Sequence, residues 1–404
     1  FIYDYQKEAK ILGRIQALLG WDQLTYMPVG GVEGRAEQIS YLSSLLHKKA
    51  ISDELFSTLK KLTKQKLSSR DHLIVKKLLR DISKARKLPE SFVKELAKTE
   101  SLAYQAWDKA RHEKKFILFR PHLEKLVKLK RKECAYIREP GHLYNSLLDS
   151  FEEGMTVERL QSVFFRLKKD LVDLLQRIQK SSVYMKQKKV LLQKKYSIEQ
   201  QRFLCDDVIS RIGLKKESSR LDLSTHPFTQ SIGINDVRLT TNFRDNPLFA
   251  FESTIHEAGH ALYESQLPEK EIYTILGDAP SLGIHESQSR FWENMIGKGE
   301  PFWRFYFPQF QKTFQLPGNF DQWFHEVNFV QPSCIRIESD EVTYCLHIIL
   351  RFELELGLIE GSLSVRDLPK KWNMLMKELL GITPKHDGEG VLQDMHWSQG
   401  AIGY

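Results

Sequence analysis

Phe249-Ala250-Phe251-Glu252-Ser253-Thr254-Ile255-His256-Glu257-Ala258-Gly259-His260-Ala261-Leu262 decides how this chain is read. As a helix, this stretch is apolar or small around most of its circumference and carries a charged trio at its centre. Residues four apart project from one helix face a turn apart, so His256 and His260 offer two imidazoles to one zinc-sized ion. Glu257 lies beside them, close enough to polarise a water on that ion. The best nearby third ligand is Glu286, in His285-Glu286-Ser287-Gln288. Two histidines and a carboxylate leave a coordination position for water, which marks a catalytic rather than a structural site. The HExxH pattern is short enough to arise by chance, and the bland reading is an amphipathic helix whose histidines satisfy hydrogen bonds in a polar groove. Small and apolar neighbours, together with a second acidic-histidine cluster one helical hairpin away, favour the metal.

Upstream of this helix, Ser231 to Phe243 departs from helical patterning. Ile232, Ile234, Val237, Leu239 and Thr241 flank the turn-like Gly233-Ile234-Asn235-Asp236, which reads as a short hairpin or edge strand. Such an edge could pair with an extended peptide, or serve packing alone. Elsewhere the apolar residues recur at three and four, as in Ile11-Leu12, Ile15 and Leu18-Leu19, then Leu42 and Leu45-Leu46 after the break Met27-Pro28-Val29-Gly30-Gly31. A second stripe runs through Leu160, Val163-Phe164, Leu167, Leu171, Leu174-Leu175 and Ile178, with Thr156 as its expected N-cap. Pro140-Gly141-His142 reads as a further break.

Across 404 residues, 41% hydrophobic and 28% charged content are those of a soluble globular protein. No apolar run is long enough to cross a bilayer, and no signal peptide is visible. Cys134, Cys205, Cys334 and Cys345 are sparse and unpatterned, which favours a reducing cytoplasm over a disulfide framework. The formal net charge is +8, concentrated in Lys125 to Arg131 and Lys186 to Lys195. Both runs are interrupted by Leu or Val at helical spacing and read as solvated helix faces. No base-reading module accompanies them, so nucleic acid is not an expected partner.

Six segments in order resemble the carboxypeptidase Taq family of zinc-dependent metallocarboxypeptidases: His226-Pro227-Phe228, Asp236-Val237-Arg238-Leu239-Thr240, His256 to His260, His285 to Gln288, Ile335-Arg336-Ile337-Glu338-Ser339-Asp340, and Gly390-Val391-Leu392-Gln393-Asp394-Met395-His396-Trp397. Trp21-Asp22, Met27-Pro28 and Arg35-Ala36 resemble the family's N-terminal helix pair, so the likeness spans nearly the whole chain. Ser339 stands where the family usually carries alanine, at a position expected to be a packed helix. The chain begins at Phe1 without a methionine and stops at Tyr404, where family members usually continue into a further helical region. A fragment is therefore expected.

The resemblance implies a mainly α, bilobed helical metallopeptidase with a deep central groove and a small β-hairpin or edge sheet beside the metal-binding helix. It would be a single catalytic domain over 1–404, with 1–225 mostly an N-terminal helical lobe and 226–404 binding metal and substrate. Adjacent helical residues point about 100° apart, so only one of His285 and Glu286 should face the ion. The resemblance selects Glu286, leaving His285 free to hydrogen-bond the substrate or the tetrahedral intermediate. Glu257 is the expected general base, taking a proton from the attacking water and passing it to the leaving amine. Gln288 either supports the ligands or packs its helix.

A carboxypeptidase must hold a free C-terminal carboxylate, a task suited to the planar fork of arginine. The resemblance makes Arg336 the anchor, with Arg238 closing the groove end. Salt bridges inside each motif, Arg238 with Asp236 or Arg336 with Asp340, are the alternative. His396, Tyr404 and His226 are the candidate donors to substrate or oxyanion. Trp397 is expected to pack. The expected cofactor is Zn2+, with Co2+ or another divalent ion as a substitute. Expected partners are peptides with a free C-terminal carboxylate and a second copy of the chain in a homodimer. Neither nucleic acid nor membrane is expected. An endopeptidase or dipeptidase on the same scaffold, or a non-catalytic binding protein stabilised by its metal, are the rival readings.

Overall fold

A computed structural model describes residues 1–187, 195–224 and 227–404. The chain forms two compact units, neither continuous in sequence: Phe1–Arg86 with Lys189–Val327, and Lys87–Lys188 with Asn328–Tyr404. This division is not the sequential one of 1–225 against 226–404. The first 86 residues instead complete the unit that carries the HExxH helix.

The first unit contains α1 (Ile2–Thr25), α2 (Val32–Ala50), α3 (Asp53–Leu62) and α4 (Ser69–Ala85) from the N-terminal segment. The second unit takes up the chain with α5 (Glu90–Glu113), α6 (Phe116–Ile137), α7 (Asn145–Phe151), α8 (Val157–Gln179) and α9 (Ser182–Lys186). The first unit resumes with α10 (Ile198–Ile212), three strands, α11 (Pro247–Ser265), α12 (Leu282–Arg290), α13 (Glu300–Phe314) and α14 (Phe320–Val327). The second unit closes with α15 (Tyr344–Glu360) and α16 (Leu368–Leu380).

Local chemistry sets these boundaries. Thr156 accepts from the Arg159 amide at 3.3 Å, as its N-cap reading requires. The breaks at Met27–Gly31 and Pro140–His142 fall between α1 and α2, and between α6 and α7. The α1–α2 hairpin is pinned by Arg35 and Asp22 at 2.7 Å. The apolar stripe of α1 is not core, however: Ile11, Ile15 and Leu18 are exposed, whereas Gln6 and Trp21 are buried. On α8, Phe164, Leu167 and Leu171 pack against the second unit's core and Leu175 is buried in it, but Val163 and Leu174 face outward.

The basic run on α6 is only partly solvated. Lys125 and Lys128 are exposed, whereas Lys130 is buried beside Glu133 at 2.9 Å and Arg131 donates from Nε to the Leu358 carbonyl at 2.9 Å. Helical periodicity brings part of any seven-residue run to the inner face. Most of the second basic run, residues 188–194, lies outside the described residues.

The expected hairpin is present but belongs to a three-stranded sheet. β1 (Ser219–Leu223), β2 (Thr229–Gly233) and β3 (Asp236–Thr241) lie in the order β1-β3-β2. β2 and β3 pair antiparallel with Thr229 opposite Leu239 and a register break between Ser231 and Gly233, while β1 pairs parallel to β3 with Leu221 opposite Leu239. The sequence reading missed β1, a five-residue strand in which only Leu221 and Leu223 are apolar. Val237, Leu239 and Leu221 form a buried cluster with Ala250, Ala258 and Ala261 of α11, which seats the sheet against that helix. On its other flank Phe251 and Ile255 enter an aromatic core with Trp303, Phe310 and Trp323.

Candidate active site

α11 begins with Asn246 accepting from the Leu248 amide at 3.0 Å and with Pro247 in the first turn, where its missing N–H costs nothing. The helix then buries Leu248, Ala250, Phe251, Thr254, Ile255, Ala258, Gly259 and Ala261. Gly259 is required by a close approach. A Cβ there would lie 2.7 Å from Ser289 Cα and 2.8 Å from the Gln288 carbonyl oxygen, so α12 presses its backbone directly onto α11. That contact brings Glu286 to the two histidines: its Oε2 lies 3.2 Å from His260 Nε2 and 3.7 Å from His256 Nε2.

The ligand atoms of His256, His260 and Glu286 all lie within 4.8 Å of one another. Donors bound at about 2.0–2.1 Å in a tetrahedron sit roughly 3.3 Å apart, close to the 3.2 and 3.7 Å that separate Glu286 Oε2 from the two imidazole nitrogens. The chemistry agrees: two imidazole nitrogens and one carboxylate oxygen are a donor set that a divalent ion takes.

Each histidine is held from behind. His256 Nδ1 lies 2.7 Å from Glu293 Oε2, and Glu293 also receives Arg290 Nη1 at 2.9 Å. Glu293 sits in a π-helical turn, Phe291–Ile296, that continues α12. His260 Nδ1 lies 2.6 Å from His285 Nδ1, and His285 Nε2 lies 2.8 Å from Glu264 Oε1. Both nitrogens of His285 are thus committed within the protein, which corrects the expectation that it is free to bond substrate: adjacent positions on α12 send Glu286 toward the ligand cluster and His285 behind it.

Glu257 is buried, and Thr229 of β2 donates to its Oε2 at 2.6 Å. Burial raises its carboxyl above the ordinary range, although both histidines oppose the shift. Burial also pushes Glu286 up, but the hydrogen bond with His260 and the charges of His256, His260 and Arg290 outweigh it and bring Glu286 down to about 2. His256 behaves in the opposite sense. Burial disfavours its charged form, yet the Glu293 hydrogen bond and the charges of Glu257, Glu293 and Glu286 raise it to about 9.

Other sequence candidates fall elsewhere. Arg238 makes the salt bridge with Asp236 that stood as the alternative to closing the groove, with two bonds at 2.8 Å, and lies 4.6 Å over the Trp21 ring. Gln288 is half-buried, and its amide reaches the Ser287 hydroxyl at 3.4 Å. His226 lies outside the described residues.

In the second unit, Arg336 does not pair with Asp340. Asp340 instead accepts the Val342 and Thr343 amides and caps the turn before α15. Arg336 donates to the Tyr344 hydroxyl at 3.1 Å and lies 3.7 Å from Asp394. Asp394 also receives Arg351 at 3.3 Å and His396 Nδ1 at 2.5 Å, and His396 stacks on Tyr404 with centroids 4.7 Å apart. Trp397 is fully buried and donates to Glu355 at 2.7 Å, the packing role expected of it. Ser339 follows a short 3-10 turn rather than lying in a helix, and its hydroxyl donates to the Ile335 carbonyl at 3.1 Å.

Sequence reasoning missed Thr229, Glu264 and Glu293. Two of these carried a usable signal. Glu264 follows His260 by four residues and Glu293 follows Glu286 by seven, so each shares a helix face with a ligand. Thr229 had none, since it reaches Glu257 only through sheet–helix packing.

The chain matches the family model described as carboxypeptidase Taq (M32) metallopeptidase over residues 1–404. It is 38% identical to thermostable carboxypeptidase 1 of Thermus thermophilus over 419 residues, covering 100% of this chain and 82% of the relative. It is 36% identical to carboxypeptidase 1 of Bacillus subtilis, covering 100% and 83%. The solved metallocarboxypeptidase 1 of Trypanosoma cruzi superposes with a TM-score of 0.95 at 29% identity, covering 100% of this chain and 82% of that one. The chain belongs to the carboxypeptidase Taq (M32) family of metallopeptidases and is a metal-dependent carboxypeptidase.

Proposed function

We propose that this chain removes single residues from the C-termini of peptides at an ion held by His256, His260 and Glu286, with Glu257 as general base. The convergence of those three ligand atoms within 4.8 Å carries the reading. When bound, a divalent ion supplies Lewis-acid activation of water and carbonyl. Glu257 takes the proton of the attacking water and delivers it to the leaving amine. Its raised pKa keeps the carboxylate basic enough for that transfer, and Thr229 fixes its orientation.

Zinc is the proposed ion because two imidazoles and a carboxylate form its common hydrolytic set, with cobalt as a substitute. Arg336 is the proposed anchor for the substrate carboxylate, supported by its motif, and Arg238 is a positioning residue rather than a second anchor because both its bonds go to Asp236. His396 is the proposed donor toward substrate, its Nδ1 fixed by Asp394; Tyr404 stacks on it. β2 lies at a sheet edge, where an extended peptide could add as a further strand. We propose a homodimer in the cytoplasm on the family resemblance and on the four free thiols; no helix among the described residues is long and apolar enough to cross a membrane.

Mass spectrometry of peptides with free and amidated C-termini tests the reading. A ladder of single-residue losses from the free peptide, abolished by amidation, is expected. Internal cuts would assign the scaffold to an endopeptidase, and equal cleavage of both peptides would overturn Arg336 as the carboxylate anchor.

A further inference from the structure

We infer that His285 and Glu264 form a hydrogen-bond relay that fixes the tautomer and ring angle of His260, and thereby sets how tightly the chain holds its metal ion. This inference rests on the metal centre proposed above. It assigns to the histidine preceding Glu286 a positioning task that its expected contact with substrate did not include.

His260 Nδ1 and His285 Nδ1 are 2.6 Å apart, so one proton lies between them and only one of the two nitrogens carries it. His260 presents Nε2 toward Glu286 at 3.2 Å. An imidazole that ligates through a bare Nε2 keeps its proton on Nδ1, so His260 is the donor and His285 Nδ1 the acceptor. His285 must then hold its own proton on Nε2, where Glu264 Oε1 waits 2.8 Å away. Each assignment compels the next, ending at a carboxylate that can only accept.

The packing holds this order in place. The His260 and His285 rings sit 4.6 Å apart, tilted by 36°, and Tyr263 meets His285 edge-on at 5.4 Å. The side chains of His260, His285 and Glu264 are 14%, 20% and 17% exposed, so water competes poorly for these bonds. His256 is served differently, by the direct carboxylate of Glu293 at 2.7 Å. The two ligands are therefore braced by unequal means, one directly by a carboxylate and one through an intervening imidazole. α12 and the turn that continues it supply the third ligand, the brace for His256 and the middle of the relay for His260.

Zinc affinity of the full-length chain, measured by competition with a chelator near neutral pH, tests the relay. His285→Phe and Glu264→Ala should each weaken zinc binding about 10- to 100-fold, the usual effect of losing a group that orients a ligand. His285→Gln, whose amide oxygen can accept from the same Nδ1–H, should lie closer to the unaltered chain. That rank order separates hydrogen bonding from bulk. In the cobalt-loaded protein, the hyperfine-shifted exchangeable proton of His260 Nδ1 should persist in His285→Gln and exchange rapidly in His285→Phe. Zinc affinity within about twofold of the unaltered chain in both His285→Phe and Glu264→Ala, with His260→Ala losing the ion, would overturn the relay and leave the metal centre standing. Unchanged affinity in His260→Ala would overturn the centre itself. Glu264→Ala carries the comparison independently of any folding defect in His285→Phe.

Discussion

Replacing Gly259 with alanine perturbs the site without touching any group that ligates, donates or accepts. The added Cβ would lie 2.7 Å from Ser289 Cα, and ordinary contact begins at 3.4 Å, so α12 would have to withdraw by about 0.7 Å. Both colliding atoms are backbone, which leaves no side chain to swing aside. Overpacking of this kind costs about 1–3 kcal/mol. Alanine's better helix propensity returns at most about 1 kcal/mol. Ser289 and Gln288 sit within one turn of Glu286, so the withdrawal carries Oε2 away from His256 and His260. Metal sites tolerate ligand displacements of about 0.2 Å, several times less than this shift. Gly259→Ala should therefore lower metal-free stability by up to about 2 kcal/mol net and weaken zinc by about tenfold or more. Denaturant unfolding of the metal-free protein and chelator competition read the two effects separately. A variant that unfolds as the unaltered chain does and binds zinc equally tightly would refute the claim that backbone contact between α11 and α12 assembles the site.

Glu257→Gln keeps the side-chain volume and removes the base; kcat should fall about 10²- to 10⁴-fold with one ion still bound, measured by peptide hydrolysis alongside metal analysis. In the metal-free protein His256 is raised to about 9, so zinc must displace its proton below that pH. Apparent affinity should rise roughly tenfold per pH unit toward 9 and then level, with proton release detected calorimetrically in buffers of different ionisation enthalpy; a flat profile would contradict the Glu293 contact. Asp394 is held well below the ordinary carboxylate range: burial pushes it up, but Arg351, His396 and Arg336 outweigh that. A depressed folded pKa contributes stability that is present above about pH 4 and lost as pH falls through the folded value. Asp394→Asn should cost about 3–5 kcal/mol near neutral pH by leaving Arg351 and Arg336 without their shared partner, and should flatten the acid limb of the unfolding profile.

The sequence alone determined that α11 is a buried helix bearing two same-face imidazoles, because a spacing of four residues acts within a single helical turn. It determined the helical character of both units, the turn at Gly233–Asp236 and the N-cap at Thr156 for the same reason, since propensity, periodicity and capping act over a few residues. Tertiary structure decided what lies across longer separations. It chose between His285 and Glu286, because only the packing of α12 on Gly259 fixes which residue of an adjacent pair faces the histidines. It gave Arg336 to Asp394 rather than Asp340, brought Thr229 to Glu257, and returned the N-terminal helices to the unit that carries the HExxH helix. A side chain's partner depends on where two elements meet in space, and that distance is written in no single stretch of the chain.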